Sequence, residues 1–284
     1  MSRATLTASR TSHTRRPALR PTRHAVPWLL GAAVVGVQIA FPLTGGGTPA
    51  MTVAAVVLFA LASVGHALLT RGPAAAAALV LVAGGGGLLV ESVGLATGLP
   101  FGEYRYSGSL GAAVLGVPLV VPAAWTMMAY PALLVGRRLA RALPLRWGHL
   151  TTTLLGAWAL ATWDVFLDPQ MVEAGHWSWL DPTPALPGVP GIPVSNFAGW
   201  LLVALVMVAL LDRVIADRPA ADDALPLVLW LWTFLSSVLA AAVFFGRPSV
   251  ALVGGVLMGL VGVPLIVALR RHGPDLRPRV LRRR

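Results

Sequence analysis

The stretch TVAAVVLFALASVGHALLT (Thr52–Thr70) carries no charge over 19 residues. About 20 consecutive apolar residues are what a helix needs to cross the hydrocarbon core of a bilayer. Working outward, comparable runs fall at roughly 26–43, 50–70, 74–97, 110–136, 149–167, 196–211, 224–246 and 249–270. The composition agrees. Of 284 residues, 56% are hydrophobic and 12% charged, and the mean hydropathy is +0.75. Soluble domains carry about 25% charged residues, so there is too little polar surface here for a water-facing globule. A soluble nucleotide-binding enzyme, a disulfide-stapled secreted domain and a disordered chain are excluded. The expected fold is all-α, a polytopic membrane bundle of about eight helices in a multi-pass protein of the cell membrane. Residues 1–25 are expected to form a disordered basic tail, 26–270 the helical domain and 271–284 a second basic tail. No small-residue cleavage site follows the first apolar run, so it is read as a span and not as a signal peptide.

The net charge of +11 comes entirely from arginine, 22 of them, with no lysine. Nucleic-acid binding is not expected, because the arginines sit in short loops and tails between apolar runs. With both termini cytoplasmic, 20 arginines fall on the inner side and only Arg105 and Arg247 on the outer, as the positive-inside rule favours. Zero cysteines rule out disulfides, thiolate metal sites and iron–sulfur clusters. Pro118, Pro122 and Pro131 are expected to kink the fourth helix. Gly84 to Gly87, inside a span and without a following Gly-Lys-Ser/Thr, reads as close helix packing.

Carboxylates inside a membrane are costly and by default suggest function. Glu91 lies about six residues before the outer end of the third run, roughly 9 Å deep at 1.5 Å per residue. Asp164 and Asp168, at i and i+4, share one face of the fifth helix near its outer end, and Asp168-Pro169 reads as the turn that ends it. The outer loops hold Tyr104, Tyr106, Glu173, His176, Trp177 and Trp179. The two tryptophans fit either an interfacial belt or the site, and His176 reads as solvated. No metal-binding motif is present, so no metal is expected.

Two groups of residues resemble a known family. The run Glu91…Thr97-Gly98…Phe101-Gly102-Glu103-Tyr104-Arg105-Tyr106, then Leu110-Gly111…Gly116-Val117-Pro118…Trp125…Tyr130, is similar to the carotenoid biosynthesis hydratases of the CruF type. So is Asp164-Val165-Phe166-Leu167-Asp168-Pro169-Gln170-Met171-Val172, continuing through His176-Trp177-Ser178-Trp179 to Gly191-Ile192-Pro193…Asn196-Phe197…Gly199-Trp200. The likeness covers about 90 to 200. The Pro-rich stretch 181–190 departs from the pattern. The resemblance implies a hydro-lyase that adds water to the terminal 1,2 double bond of an acyclic carotenoid, lycopene-type or C50, without a cofactor. Its partners would be that substrate, water, the lipid bilayer and other membrane enzymes of carotenoid synthesis.

Hydrating such an alkene means protonating C2 and capturing the tertiary cation at C1 with water. The donor must be a neutral carboxylic acid near pH 7, and two adjacent carboxyl groups in an apolar wall can hold one proton between them. Glu91 and Asp164 are the expected pair. Tyr104, Tyr106 and Trp163 are expected to face the cation, with Asp168 and Asn196 holding the attacking water. Two other readings stay open. Glu91 and Asp164 would also serve a proton-coupled transporter. Asp164-x-x-x-Asp168 with Asp212, Asp217, Asp222 and Asp223 would suit a Mg-dependent membrane prenyltransferase, except that the two clusters fall on opposite membrane faces.

Overall fold

The computed structural model describes residues 22–143, 148–218 and 222–272. The first helix, α1 (Thr22–Leu43), begins inside the expected tail, and the remaining expected tail residues, 1–21 and 273–284, lie outside the described residues. Helix α2 (Pro49–Arg71) starts where the Thr48 hydroxyl accepts from the Met51 N–H at 3.3 Å and Pro49 supplies a preset φ. After Gly72 the chain turns into one continuous helical span, Pro73–Thr97. It consists of α3 (Pro73–Leu79), a π segment (Val80–Gly85) and α4 (Gly86–Thr97). Gly98, at φ 74°, stops it, since a left-handed residue cannot continue the helix.

The fourth apolar run behaves differently from expectation. Residues 110–119 form no helix. They hold a short hairpin of β2 (Ala113–Val114) and β3 (Val117–Pro118), with Val114 opposite Val117. The two turn residues, Leu115 at φ 53° and Gly116 at φ 82°, have the paired positive φ of a tight hairpin turn. The helix begins only at Val120 and runs to Ala142 as α5. Pro118 therefore lies in a strand, Pro122 in the first turn of α5, and only Pro131 inside the helix. The fifth run is also longer than expected. Helix α6 (Gly148–Ala161) pauses at Thr162 and Trp163, and α7 (Asp164–Glu173) carries on through Asp168-Pro169, so that dipeptide does not end the span.

The loop strands are β1 (Tyr104–Tyr106), β4 (Trp177–Trp179), β5 (Ala185–Leu186) and β6 (Val189–Pro193). Helices α8 (Val194–Val214), α9 (Ala224–Leu239, extended by a π segment at Ala240–Phe244) and α10 (Pro248–His272) complete the bundle. Among the described residues seven spans are long and apolar enough to cross a membrane. The helix missing from that set is α5, which sits in the middle of the bundle. It packs on α2, α6, α8, α9 and α10, and nearly all its residues from Trp125 to Leu139 are buried. A helix covered by other helices has no need of uniform lipid-facing hydrophobicity. The chain is an all-α polytopic bundle of the kind expected.

Both ends of the bundle are visible in its polar contacts. At one end Arg71 pairs with Asp223 at 2.7 Å and donates to the Tyr130 hydroxyl at 2.7 Å. There too Asp212 takes Arg137 and His149, each at 2.7 Å, and Arg141 pairs with Asp217. The ends of α2, α5 and α8 thus meet the beginnings of α6 and α9, so α5 traverses the bundle like its neighbours. Arg71, Arg137 and Arg138 are buried, so part of the arginine bias at this end is structural cross-linking and not a topogenic signal alone. The short strands all lie toward the other end.

Helices α5 and α6 approach most closely at Gly136. A Cβ there would overlap the backbone of Thr152 and Gly156, atoms that cannot move aside as a flexible side chain can. Overpacking of this kind costs about 1–3 kcal/mol or more. Gly136→Val is expected to lose monodispersity in detergent and to unfold at lower temperature. Gly36→Ala, which meets open space, should not. Equal melting of the two variants would contradict the close contact.

Candidate active site

The site begins with two short strands. β1 pairs antiparallel with β4, with Tyr104 opposite Trp179 and Tyr106 opposite Trp177. Alternation along a strand sends i and i+2 to the same face, so the four rings gather on one side, with Arg105 and Ser178 on the other. Ring centroids are 5.9 Å apart for Tyr104 and Trp179, 5.7 Å for Tyr106 and Trp177, and 5.6 Å for the two tyrosines. The pair of strands is fixed to its surroundings by Trp179 Nε1 donating to the Phe101 carbonyl at 2.9 Å and by Ser107 N–H donating to the His176 carbonyl at 2.9 Å.

Glu91, on α4, is buried under this ring cluster. Its Oε2 accepts from the Tyr104 hydroxyl at 2.6 Å and the Tyr106 hydroxyl at 2.9 Å, and its Oε1 accepts from Trp125 Nε1 at 3.1 Å. Three donors from two elements, β1 and α5, thus converge on one carboxyl group. Small residues make the room. A Cβ on Gly87 would come within 2.6 Å of the Trp125 ring, and one on Gly94 within 2.9 Å of the Tyr104 hydroxyl. Gly87, within the stretch read as packing glycines, does serve close packing, and what it packs against is an indole that holds Glu91.

The second carboxylate group comes from α7. The Asn196 side-chain amide, on α8, donates to Asp164 Oδ2 at 2.8 Å and to Asp168 Oδ2 at 2.5 Å. Trp177 Nε1 donates to Asp168 Oδ1 at 3.0 Å. Exposure is 0% for Asp164, 2% for Asn196 and 3% for Asp168. Asp164 Oδ1 has no hydrogen-bond partner although it is buried. A bare carboxylate oxygen in such a place is expensive, while two carboxyl groups sharing one proton relieve the cost.

Between the two groups lies a cavity with about 60 Å³ open to water-sized molecules. A water needs about 10–15 Å³ on this measure, so a few fit. Glu91, Asp168, Asn196, Tyr104, Tyr106 and Trp177 line it. Two of the expected site residues lie off this cavity. Asp164 does not line this cavity; it stands behind Asp168, so the acid groups that face each other across the space are Glu91 and Asp168. Trp163 lines a neighbouring cavity instead and reaches the site only by its edge-on contact with Trp200, 6.1 Å between centroids. Trp200 in turn stacks on Trp125 at 3.9 Å. The tyrosines also do more than present ring faces, since their hydroxyls hold Glu91.

His176 is buried, not solvated, and its Nδ1 lies 2.7 Å from the Ser109 hydroxyl. Burial lowers its basicity below that of an ordinary imidazole. Trp177 and Trp179 are hydrogen-bonded parts of the site and not a free interfacial belt. Trp125 and Trp200 had no assigned role in the sequence reading beyond their place in the family likeness. A signal was present in the matching Tyr-x-Tyr and Trp-x-Trp patterns, which predict two strands with one aromatic face. The second aspartate group, Asp212, Asp217, Asp222 and Asp223, lies at the opposite end of the bundle. Three of these side chains are in ion pairs and the fourth, Asp222, accepts the Ala224 N–H, so they cannot join Asp164 and Asp168 around one Mg-diphosphate.

Comparison with known proteins places these residues in context. The family model described as carotenoid biosynthesis protein matches residues 48–261, which include every carboxylate of the site. Bisanhydrobacterioruberin hydratase from Haloarcula japonica is 33% identical over 158 residues, 50% of this chain and 50% of that protein. The chain therefore spans about half the length of this curated relative. No solved structure matches.

Burial, with the Glu91 carboxyl group beside them, pushes the Tyr104 and Tyr106 phenols well above the ordinary tyrosine value near 10. Both should therefore stay protonated donors at a pH where a free phenol is half ionised. A Tyr130→Phe variant retains only these two tyrosines. Its tyrosinate absorbance at pH 10 is expected to stay close to zero, then to appear once denaturant exposes the rings. Half-maximal absorbance in the folded variant at pH 10 would contradict the buried arrangement.

Proposed function

The chain belongs to the carotenoid biosynthesis protein family, and on that premise we propose that it is a hydratase adding water to the terminal 1,2 double bond of an acyclic carotenoid. The observation that carries this reading is a cavity walled by aromatic rings with carboxyl groups on two sides, Glu91 on one and Asp168 backed by Asp164 on the other. Alkene hydration needs three things at one place: an acid to protonate carbon, negative charge to face the cation, and a confined water. The similarity to a bisanhydrobacterioruberin hydratase over 158 residues supports the same chemistry.

The roles follow from the hydrogen bonds. Asp164 and Asp168 hold one proton between them, with the Asn196 amide fixing both groups through its two N–H bonds. Asp168 faces the cavity and delivers the proton to C2 of the chain end. The electron pair of the C1–C2 double bond forms the new C–H bond, and positive charge is left at C1. Glu91, an acceptor for three donors, supplies the opposite charge across the cavity. The faces of Tyr104, Tyr106 and Trp177 surround the cation with π-electron density. A water held near Glu91 attacks C1 and gives its extra proton to Glu91. That proton returns to the aspartate pair through water in the cavity, so the cycle needs no outside reductant or oxidant. The product is a tertiary alcohol.

The substrate suits this location. An acyclic carotenoid is about as long as a bilayer is thick, so its end reaches the level of the hairpin end of the bundle while its chain stays among apolar side chains. The proposed substrates are chain ends of the lycopene type or of the C50 bisanhydrobacterioruberin type.

Glu91→Gln and Asp168→Asn are each expected to reduce hydration by at least ~10²-fold, the typical contribution of a positioned acid or base. Asp164→Asn, which leaves an acid facing the cavity, should cause a smaller but clear loss. Each variant is expressed in a host that makes an acyclic carotenoid, and the pigments are chromatographed for a mass gain of one water. Normal amounts of hydroxylated pigment from Glu91→Gln and Asp168→Asn would remove these residues from the chemistry.

A further inference from the structure

Beside the acid cavity lies a larger one, with about 150 Å³ open to water-sized molecules. It is bounded by α1, α2, α7, α9 and the beginning of α10. Thr52, Val56, Leu167 and Met171 line both spaces, so a single layer of side chains separates them. Its polar lining is unusual for a space at membrane depth: Gln38, Gln170, Thr233, Ser236, Ser237 and Arg247 all border it. Polar side chains on membrane-spanning helices turn toward protein partners or water-filled spaces. Two of these hydroxyls do bond to their own helix, Thr233 to the Leu229 carbonyl at 2.9 Å and Ser236 to the Thr233 carbonyl at 3.5 Å. Each hydroxyl oxygen keeps acceptor capacity beyond the bond it donates.

Two more features mark this space. The π segment Ala240–Phe244 borders it through Ala240 and Ala241, and departures of this kind from α geometry recur at functional sites. At the hairpin end of the bundle Arg247 lines the cavity and pairs with Glu173, whose side chain is 67% exposed. The cavity thus has a charged pair at its rim, polar groups along its wall and a partition shared with the acid cavity.

We propose that the larger cavity is a water-filled inlet, open at the Arg247–Glu173 rim, that passes water across the Thr52–Met171 partition to the acid cavity. The inlet stands on its own geometry; its role in turnover rests on the hydratase reading. One water is consumed per hydration, while the acid cavity is small and walled by rings. Water arriving along a separate polar route leaves the apolar approach free for the polyene.

The absence of cysteine makes a direct test available. Ser237→Cys and Ser236→Cys each introduce the sole thiol of the full chain, as do Leu235→Cys and Leu239→Cys on the lipid-facing side, where those leucines are 55% and 56% exposed. Only a hydrated thiol ionises to the reactive thiolate. A charged, membrane-impermeant methanethiosulfonate is applied to membranes carrying each variant. Ser237→Cys and Ser236→Cys are expected to react at least ~10-fold faster than the leucine positions, by the same thiolate requirement. Equal rates overturn the inlet. Slow reaction that becomes fast only in membranes free of carotenoid also overturns it, because the cavity then holds the polyene. A second arm measures hydration after labelling. Modified Ser237→Cys should lose most of its turnover while modified Leu235→Cys keeps it. Fast labelling with full turnover would overturn the supply role, and a chain that never hydrates any acyclic carotenoid would overturn the hydratase reading while the labelling rates still decide the inlet.

Discussion

A carboxyl group inside an apolar bundle must be given hydrogen-bond donors, and that requirement organises the hairpin end of this molecule. Glu91 receives two phenol hydroxyls and one indole N–H. Asp168 receives an indole and an amide, and Asp164 shares that amide. Every one of these donors is neutral. An arginine would satisfy a buried carboxylate more strongly, but it would cancel the charge and lock the group in its ionised form. Phenols, indoles and an amide satisfy the geometry while leaving the proton free to move. The glycines of α4 follow from the same need, since Trp125 and Tyr104 reach Glu91 only where Gly87 and Gly94 present no side chain.

The two ends of the bundle solve the burial of charge in opposite ways. At the arginine-rich end, Asp212 and Asp223 are matched with Arg137 and Arg71, and such pairs join α2, α5, α8 and the start of α9 into a rigid floor. Breaking a buried pair by removing one partner typically costs about 3–5 kcal/mol, because the other charge is left stranded. At the hairpin end the carboxyl groups face a cavity and one another. One end is thus cross-linked by ion pairs, while the carboxyl groups of the other are held in place by neutral donors.

Much of this was legible in the sequence. Hydropathy alone gave the all-α membrane bundle, and the membrane depth of Glu91 and the i, i+4 spacing of Asp164 and Asp168 singled out carboxyl groups that the structure buries at one end of the bundle. What failed was direction. Helical rise puts Asp164 at a depth matching Glu91, but the pause at Thr162 and Trp163 sets how α7 is turned, and that turn presents Asp168 to the cavity. The apolar run 110–119 reads as helix in a hydropathy window because averaging ignores backbone conformation. Gly108, Gly111 and Gly116, all with positive φ, were the local sign that it is not. Trp177 and Trp179 were ambiguous because an indole at a membrane surface and an indole bonded to a carboxylate have the same sequence signature; only the pairing of β4 with β1 separates the two.

The enclosure of α5 also bears on how the chain assembles. Its neighbours include α2, which precedes it in the chain, and α10, which is made after it. Until α10 has emerged, the side of α5 that packs against it has no cover from that helix. The central helix is thus fully wrapped only once α10 has been made, and the newborn bundle has to shelter it in the bilayer until then.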